Sequence, residues 1–368
     1  MCEIQTKKQG YEHFMLKEIY EQPKAITDTI AGRVGANNEL DLTGEIPKNM
    51  VKNLENIIFI GCGTAYHASL FGKHLLEEYT DIYVSVEFAS EYPYKKVRTN
   101  ERTLVIVISQ SGETADTLSA MRAAAAKGGK ILAITNVVGS TIAREADAVM
   151  YTHAGPEVAV ASTKAYVCQL TCLCLLAAYI QEQNYGRFDQ DMIKELKLIP
   201  EKINQTLAVY EGTLESYANR FRDAGDAFFL GRGLDYASAM EGQLKLKETT
   251  YIHGEALAGG ELRHGPMALI EPDVLVVALA TQPELVDKMV SVLKEAKTRG
   301  ADILLLAMDK EKDYSEAADK VLLIPETHPL LAPMLTVVLM QTLAYYTAKV
   351  RGCDVDKPRN LVKSVTVE

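Results

Sequence analysis

Three hydroxyls, a glutamine and a glycine fall within six residues, Ser109-Gln110-Ser111-Gly112-Glu113-Thr114. Hydroxyl groups, free backbone N–H groups and the positive end of a helix dipole together make an anion site, and glycine lets the backbone approach an oxyanion closely. The chemistry predicted is capture of a phosphate monoester. No lysine lies in the segment, which separates it from the nucleoside-triphosphate P-loop. The simpler alternative is a helix cap on Ser111 with Thr114 or Glu113 nearby. Three hydroxyls around one glycine exceed what a cap needs.

A second group of residues could move protons. In Glu241-Gly242-Gln243-Leu244-Lys245-Leu246-Lys247-Glu248, a helix puts Glu241, Lys245 and Glu248 on one face. A surface salt-bridge ladder is the alternative to an acid/base pair, but Leu244 and Leu246 leave little room for a fully solvated helix. His264 lies between glycine-rich and proline-bearing turns, in a loop suited to proton transfer, with a structural or merely exposed histidine as the alternative. His253, Glu255 and His264 match no standard metal spacing, and no metal or other cofactor is expected. The C-terminal segment 354–368 mixes apolar anchors with Arg359 and Lys363. It either frays or packs over a cleft, where Lys363 could form an imine with a ketone.

The elements that must position these residues read as an α/β fold. Apolar runs at 56–60, 82–87, 104–108, 130–135 and 147–151 alternate with helical patterns, implying a doubly wound parallel sheet. Gly61-Cys62-Gly63-Thr64 and Ser109–Thr114 both fall at carboxyl ends of strands, where such sheets bind ligands. The plan then repeats about 170 residues later, an internal duplication of a whole domain. Asp226–Leu230 with Gly231-Arg232-Gly233 matches Ile57–Gly63, and Val274–Leu279 matches Val105–Ile108. Segments 300–306 and 319–323 match the fourth and fifth strands. The second copy has Ala278-Leu279-Ala280-Thr281 in place of Ser109–Ser111, so the phosphate belongs to the first.

Composition sets limits. The 368 residues are 48% hydrophobic and 24% charged, and the net charge of −10 argues against broad nucleic-acid or anionic-membrane binding. The apolar stretches near 170–180 and 335–346 fall short of the roughly 20 residues a membrane span needs, and no signal-peptide pattern opens the chain. Cys168, Cys172 and Cys174 share an apolar segment and are expected to be buried thiols in a reduced, cytoplasmic protein.

Taken together, Gly61–Thr64, Ser109–Thr114, Val160-Ala161-Ser162-Thr163-Lys164-Ala165, Glu241–Glu248, His264-Gly265-Pro266 and the closing Asp356–Glu368 resemble the isomerase half of the glucosamine-6-phosphate synthase family. The resemblance runs from Tyr11 to Glu368. It implies two tandem sugar isomerase (SIS) domains of flavodoxin-like fold, a homodimer, and conversion of fructose 6-phosphate and ammonia to glucosamine 6-phosphate. Ser109, Gln110, Ser111 and Thr114 would hold the phosphate. Thr64, Val160, Ala161, Ser162, Glu241, Arg359 and Val362 would complete the sugar site. His264 would open the ring, reaching in from a partner subunit. Lys363 would form the imine at C2, Glu248 would carry the proton between C1 and C2, and Lys245 would assist at a hydroxyl.

The implied division is a helical linker over 1–50, a first SIS domain over 51–190, connecting helices over 191–225, a second SIS domain over 226–353 and a tail over 354–368. Ala65 stands where the family usually has serine, Ala159 replaces a frequent glycine, and Gly254 and Arg263 depart from common choices. Met1-Cys2-Glu3 does not match the Cys-Gly-Ile-Val start of the glutaminase half normally fused N-terminally, so Cys2 is read as linker and no glutamine use is expected. A fructosamine-6-phosphate deglycase and a non-catalytic sugar-phosphate sensor are the competing readings.

Overall fold

A computed structural model describes residues 7–367 of the chain; Cys2 lies outside them. Two five-stranded sheets form, and every strand pair in both is parallel. The first holds β1 (Asn56–Gly61), β2 (Tyr83–Phe88), β3 (Thr103–Ser109), β4 (Lys130–Thr135) and β5 (Ala148–Tyr151), ordered β2-β1-β3-β4-β5. The second holds β6 (Asp226–Gly231), β7 (His253–Ala258), β8 (Leu275–Ala280), β9 (Asp302–Ala307) and β10 (Lys320–Leu323), in the corresponding order β7-β6-β8-β9-β10. Strands buried on both faces explain the continuous apolar runs; every residue of β3, β8 and β9 is buried.

The duplication is therefore complete, and it includes a strand that periodicity misses. His253-Gly254-Glu255 opens β7, the edge-strand counterpart of β2. Its polar residues reflect that edge position. The register also fixes the correspondence of the two anion loops. Ile58 pairs with Val105 and Phe228 with Val276, so Ser109 aligns with Ala280 and Gln110 with Thr281.

The helices are α1 (Phe14–Ile30), α2 (Lys48–Val51), α3 (Thr64–Tyr79), α4 (Ala115–Ala125), α5 (Thr141–Glu145), α6 (Lys164–Tyr185), α7 (Gln190–Leu196), α8 (Ile199–Tyr217), α9 (Leu234–Thr250), α10 (Val286–Lys297) and α11 (Ala332–Val350). The equivalent helices α3 and α9, each following the first strand of its sheet, pack on one another and join the two halves. Helix α9 also packs on α11, where Gly242 allows close approach: a Cβ there would lie 2.2 Å from Met340 Sδ.

The expectation that no apolar stretch reaches spanning length needs correction. Lys164–Tyr185 and Pro329–Val350 each run 22 residues and are apolar enough to cross a bilayer by composition. Yet 89% and 94% of their most apolar windows are buried inside this fold. They are helices of the core, and Cys168, Cys172 and Cys174 lie buried in the first of them. Burial pushes all three thiols up, Cys172 to about 12.

Candidate active site

In the order β2-β1-β3 the winding of successive strands switches side between β1 and β3, and a crevice opens at the carboxyl ends of those parallel strands. Gly61–Thr64 and Ser109–Thr114 form its two lips. In the second lip, Ser109 Oγ and Thr114 Oγ1 lie 3.0 Å apart, and Ser109 Oγ accepts the Gly112 N–H at 3.1 Å. Ser111 Oγ accepts the Glu113 N–H at 3.2 Å. Thr114 occupies the N-cap position of α4, but its side chain makes no cap bond. Ser109 and Thr114 thus meet each other, while Ser109 and Ser111 hold N–H groups of the loop just before the helix, unlike the simple cap considered above. Glu113 turns its charge away, accepting the Thr141 N–H at 2.7 Å, and that bond holds its carboxyl below the usual range.

Five chain segments meet here. Cys62–Ala65, Ile108–Ser111 with Thr114 and Thr117, Val160 with Ser162 and Gln169, Lys245 with Glu248, and the tail Leu361–Val365 line a cavity of about 270 Å³. Among the larger depressions elsewhere, two of about 690 and 850 Å³ lie over β8–β10 and beside α1. Neither brings catalytic-type side chains to one point; beside α1, Lys164 pairs with Glu21 and Lys24 with Asp28. The small cavity has the chemistry.

Its floor is the face of α9 read from the sequence, and that face is not a surface ladder. Glu241 and Lys245 side chains are fully buried, and Glu248 keeps 23% of its exposure. Lys245 Nζ lies 2.6 Å from Glu248 Oε2, 3.4 Å from Glu241 Oε1 and 3.1 Å from Thr64 Oγ1. Burial alone would lower the Lys245 pKa, but the two carboxylates outweigh it and raise it. Lys245 is thus an ammonium that donates. Glu241 does not line the cavity. It ties α9 to α3, accepting from Thr64 Oγ1 at 3.0 Å and lying 2.7 Å from His67 Nδ1.

The tail packs rather than frays. Asp356 carboxylate oxygens accept the Phe14 and Met15 N–H groups at 3.0 and 2.9 Å, capping α1, while its carbonyl accepts the Val160 N–H at 3.1 Å. Ser364 Oγ lies 2.9 Å from Ser111 Oγ, and the Val365 carbonyl accepts the Ala115 N–H at 3.1 Å. Lys363 pairs with Glu157 and donates to Ser162 Oγ at 3.4 Å.

Of the other predicted residues, Ala161 is fully buried behind the lining. Arg359 does not reach the cavity; its guanidinium sits 4.1 Å above the Tyr251 ring, and its N–H donates to Tyr251 Oη at 2.9 Å. Stacking on a neighbouring ring wins over the site because the tail turns between Arg359 and Lys363. His264 is exposed in the loop after β7 and lines no part of the cavity in this chain. Reading the sequence missed Glu157 and Gln169. Both come from segments without a chemical motif, and only their proximity to Val160 and Ser162 in the chain pointed to them.

Comparison with known proteins places this architecture. The SIS domain model matches residues 50–179 and 220–351. Glutamine–fructose-6-phosphate aminotransferase (isomerizing) from Clostridium acetobutylicum is 51% identical over 99% of this chain, and its counterpart from Methanosarcina acetivorans is 46% identical over 99%. This chain spans about 60% of the length of those relatives. The solved C-terminal domain of glucosamine-fructose-6-phosphate aminotransferase from Francisella tularensis is 36% identical, with a TM-score of 0.91 over 96% of this chain and 100% of that one. A glucosamine-6-phosphate deaminase from Thermotoga maritima, 23% identical with a TM-score of 0.74, shares the fold.

Proposed function

This chain belongs to the SIS domain family, and from that premise we propose that it converts fructose 6-phosphate and ammonia to glucosamine 6-phosphate. One observation carries the reading: a hydroxyl cradle for phosphate, an ammonium–carboxylate pair and a tail lysine line a single cavity between the two halves. The relatives' names, which couple a fructose-6-phosphate aminotransferase with isomerisation, support it.

The roles follow from position. Ser109, Gln110, Ser111 and Thr114 hold the phosphate at one end, with the α4 dipole behind them. The sugar then extends toward Thr64, Val160, Ser162 and Val362. Lys363 attacks C2 of the open-chain ketose. Glu248 transfers the proton between C1 and C2, and Lys245, paired with Glu248 at 2.6 Å, donates to a sugar hydroxyl. His264 of a second copy opens the ring, so the working unit is a homodimer. Ammonia reaches this site from outside the chain, in this family normally from a glutamine-hydrolysing domain fused N-terminally, and the protein works in the cytoplasm. Residues 51–190 and 226–353 form the two SIS units, with 1–50, 191–225 and 354–368 as linker, connector and tail. Arg359 acts on the site only by anchoring the tail.

The test is a product assay with fructose 6-phosphate plus ammonia, run beside Glu248→Gln. General acid/base catalysis contributes about 10²–10⁴-fold, so turnover should fall by about that factor while sugar-phosphate affinity stays within a few-fold. A sensor would show no product, and the substitution would leave it unchanged. A deglycase would release glucose 6-phosphate from a fructosamine 6-phosphate faster than it makes amino sugar.

A further inference from the structure

The mechanism above gives Lys363 an imine but no group to handle its protons. A lysine attacks a carbonyl only as the neutral amine, and the oxygen it displaces leaves only after protonation. The carboxylate on Lys363 is Glu157, which no motif marks and whose side chain is fully buried. Its two oxygens are divided. Oε1 accepts the Thr163 and Ala165 N–H groups at 2.9 and 3.0 Å, at the start of α6. Oε2 faces the Lys363 ammonium. A cap for α6 needs one oxygen; the second is aimed at the nitrogen that must react.

We propose that Glu157 is the acid/base catalyst for imine formation and release at Lys363. This rests on the reading of Lys363 as the imine-forming residue. Glu157 Oε2 takes one proton from the ammonium. The amine nitrogen bonds to C2 and passes its second proton to the carbonyl oxygen, which becomes a hydroxyl. Glu157 returns its proton to that hydroxyl, the C2–O bond breaks, and water leaves. The product is a protonated imine paired with the carboxylate, so the charge pair present at the start is present at the end and no proton is gained or lost. Hydrolysis or attack by ammonia runs through the same proton in reverse.

The surroundings suit a shuttling proton. Glu18 of α1 is buried beside Glu157; its Oε1 accepts the Val158 and Ala159 N–H groups at 2.5 and 3.4 Å, and its Oε2 has no partner. Burial, and then the Glu157 charge, push Glu18 up to about 8. Glu157 goes the other way: burial would raise it, but Lys363 and the α6 N–H groups hold it down. The remaining groups that feel Glu157 are Lys164 and Cys168 of α6 and Lys245 of α9, through their charges or that of Glu18. A neutral Glu18 beside an ionised Glu157 lets the second carboxylate accept and return a proton without a second negative charge in the same buried space.

Glu157→Gln separates this role from capping, because the amide oxygen still accepts the Thr163 and Ala165 N–H groups. The measurement is borohydride trapping of fructose 6-phosphate on Lys363, read by mass, together with equilibrium binding of the sugar phosphate. Trapping in Glu157→Gln should slow about 100-fold with affinity within a few-fold of the parent. Trapping at the parent rate overturns the proposal. Glu18→Gln supplies a second arm should Glu157→Gln misfold: the trapping rate of the parent should bend near pH 8, and that bend should vanish in Glu18→Gln. An unchanged profile in Glu18→Gln also overturns it. Failure of the parent chain to form any adduct, with Lys363→Ala as control, overturns the imine reading itself. An adduct undiminished in Glu157→Gln overturns only the role of Glu157.

Discussion

Gly112 shows how much of the anion site rests on one residue. Its φ of +66° is the left-handed region that glycine enters at no steric cost, and a Cβ there would lie 2.0 Å from Ser140 Oγ. Both obstacles act on the loop that gathers Ser109, Ser111 and Thr114. Gly112→Ala should therefore destabilise the fold by about 1–3 kcal/mol in denaturant unfolding and, by displacing the loop, weaken fructose 6-phosphate binding in calorimetric titration. Unaltered affinity would mean that the phosphate lies elsewhere. At this scale the sequence was most readable where a residue type is chemically unusual for its place. It was least readable for Glu157, whose partner Lys363 lies 206 positions away. It misled at Arg359, because a cation near a site and a cation in a site look alike until the tail's turn is known.

The two versions of one element differ in an instructive way. Thr281 sits where the first sheet has Gln110, and its N–H and hydroxyl both donate to Asp235, the N–H at 2.8 Å. The second copy thus fills its own anion crevice with a carboxylate from α9, while Ala65, near the start of the equivalent helix α3, leaves that of the first copy free. Burial, opposed by the bonds from Thr281 and Gln282, raises Asp235 from 3.8 to about 6. Because the folded value exceeds the unfolded one, the folded chain holds this proton longer. Asp235 therefore stabilises the fold below about pH 4 and loses that contribution as pH rises to about 6, a change of about 3 kcal/mol. Asp235→Asn keeps both contacts to Thr281, since its amide can donate to the hydroxyl. It should flatten the pH 4–6 stability profile measured by urea titration; a profile as steep as the parent's would contradict the assignment. The edge strand β7 was legible in principle. Tyr83 and His253, which open β2 and β7, lie 170 residues apart, so the repeat predicts a strand that alternation alone does not.

Across the whole molecule, the site exists because the halves are locked in one arrangement. Glu241 bridges α9 to Thr64 and His67 of α3, and Lys245 reaches the same threonine. Glu241→Ala leaves Lys245 and His67 short of a buried partner, and breaking such a pair costs about 3–5 kcal/mol. Denaturant unfolding should show that loss, and turnover should fall with it because Thr64 is released. A variant as stable as the parent would show that the interface is held by its apolar contacts alone. The tail is fixed at a distance in the same way. Asp356 caps α1 at one end and holds Val160 at the other. Asp356→Ala should speed proteolysis of the segment after Val355 and slow imine trapping at Lys363 more than it weakens phosphate binding. Equal proteolysis of the two proteins would argue that the apolar side chains hold the tail.

What the sequence determined by itself was local or repeated. Apolar runs set the strands, a 170-residue echo set the two domains, and clustered hydroxyls at a strand end set the anion loop, because each depends on residues near one another in the chain. What the tertiary structure decided was every pairing across the fold. Glu241 turns inward as a bridge, Asp235 plugs the second crevice, Glu157 meets Lys363, and two helices apolar enough for a bilayer are spent on the core. A charge pair is stabilising or ruinous according to what surrounds it, and those surroundings come from segments far apart in the chain.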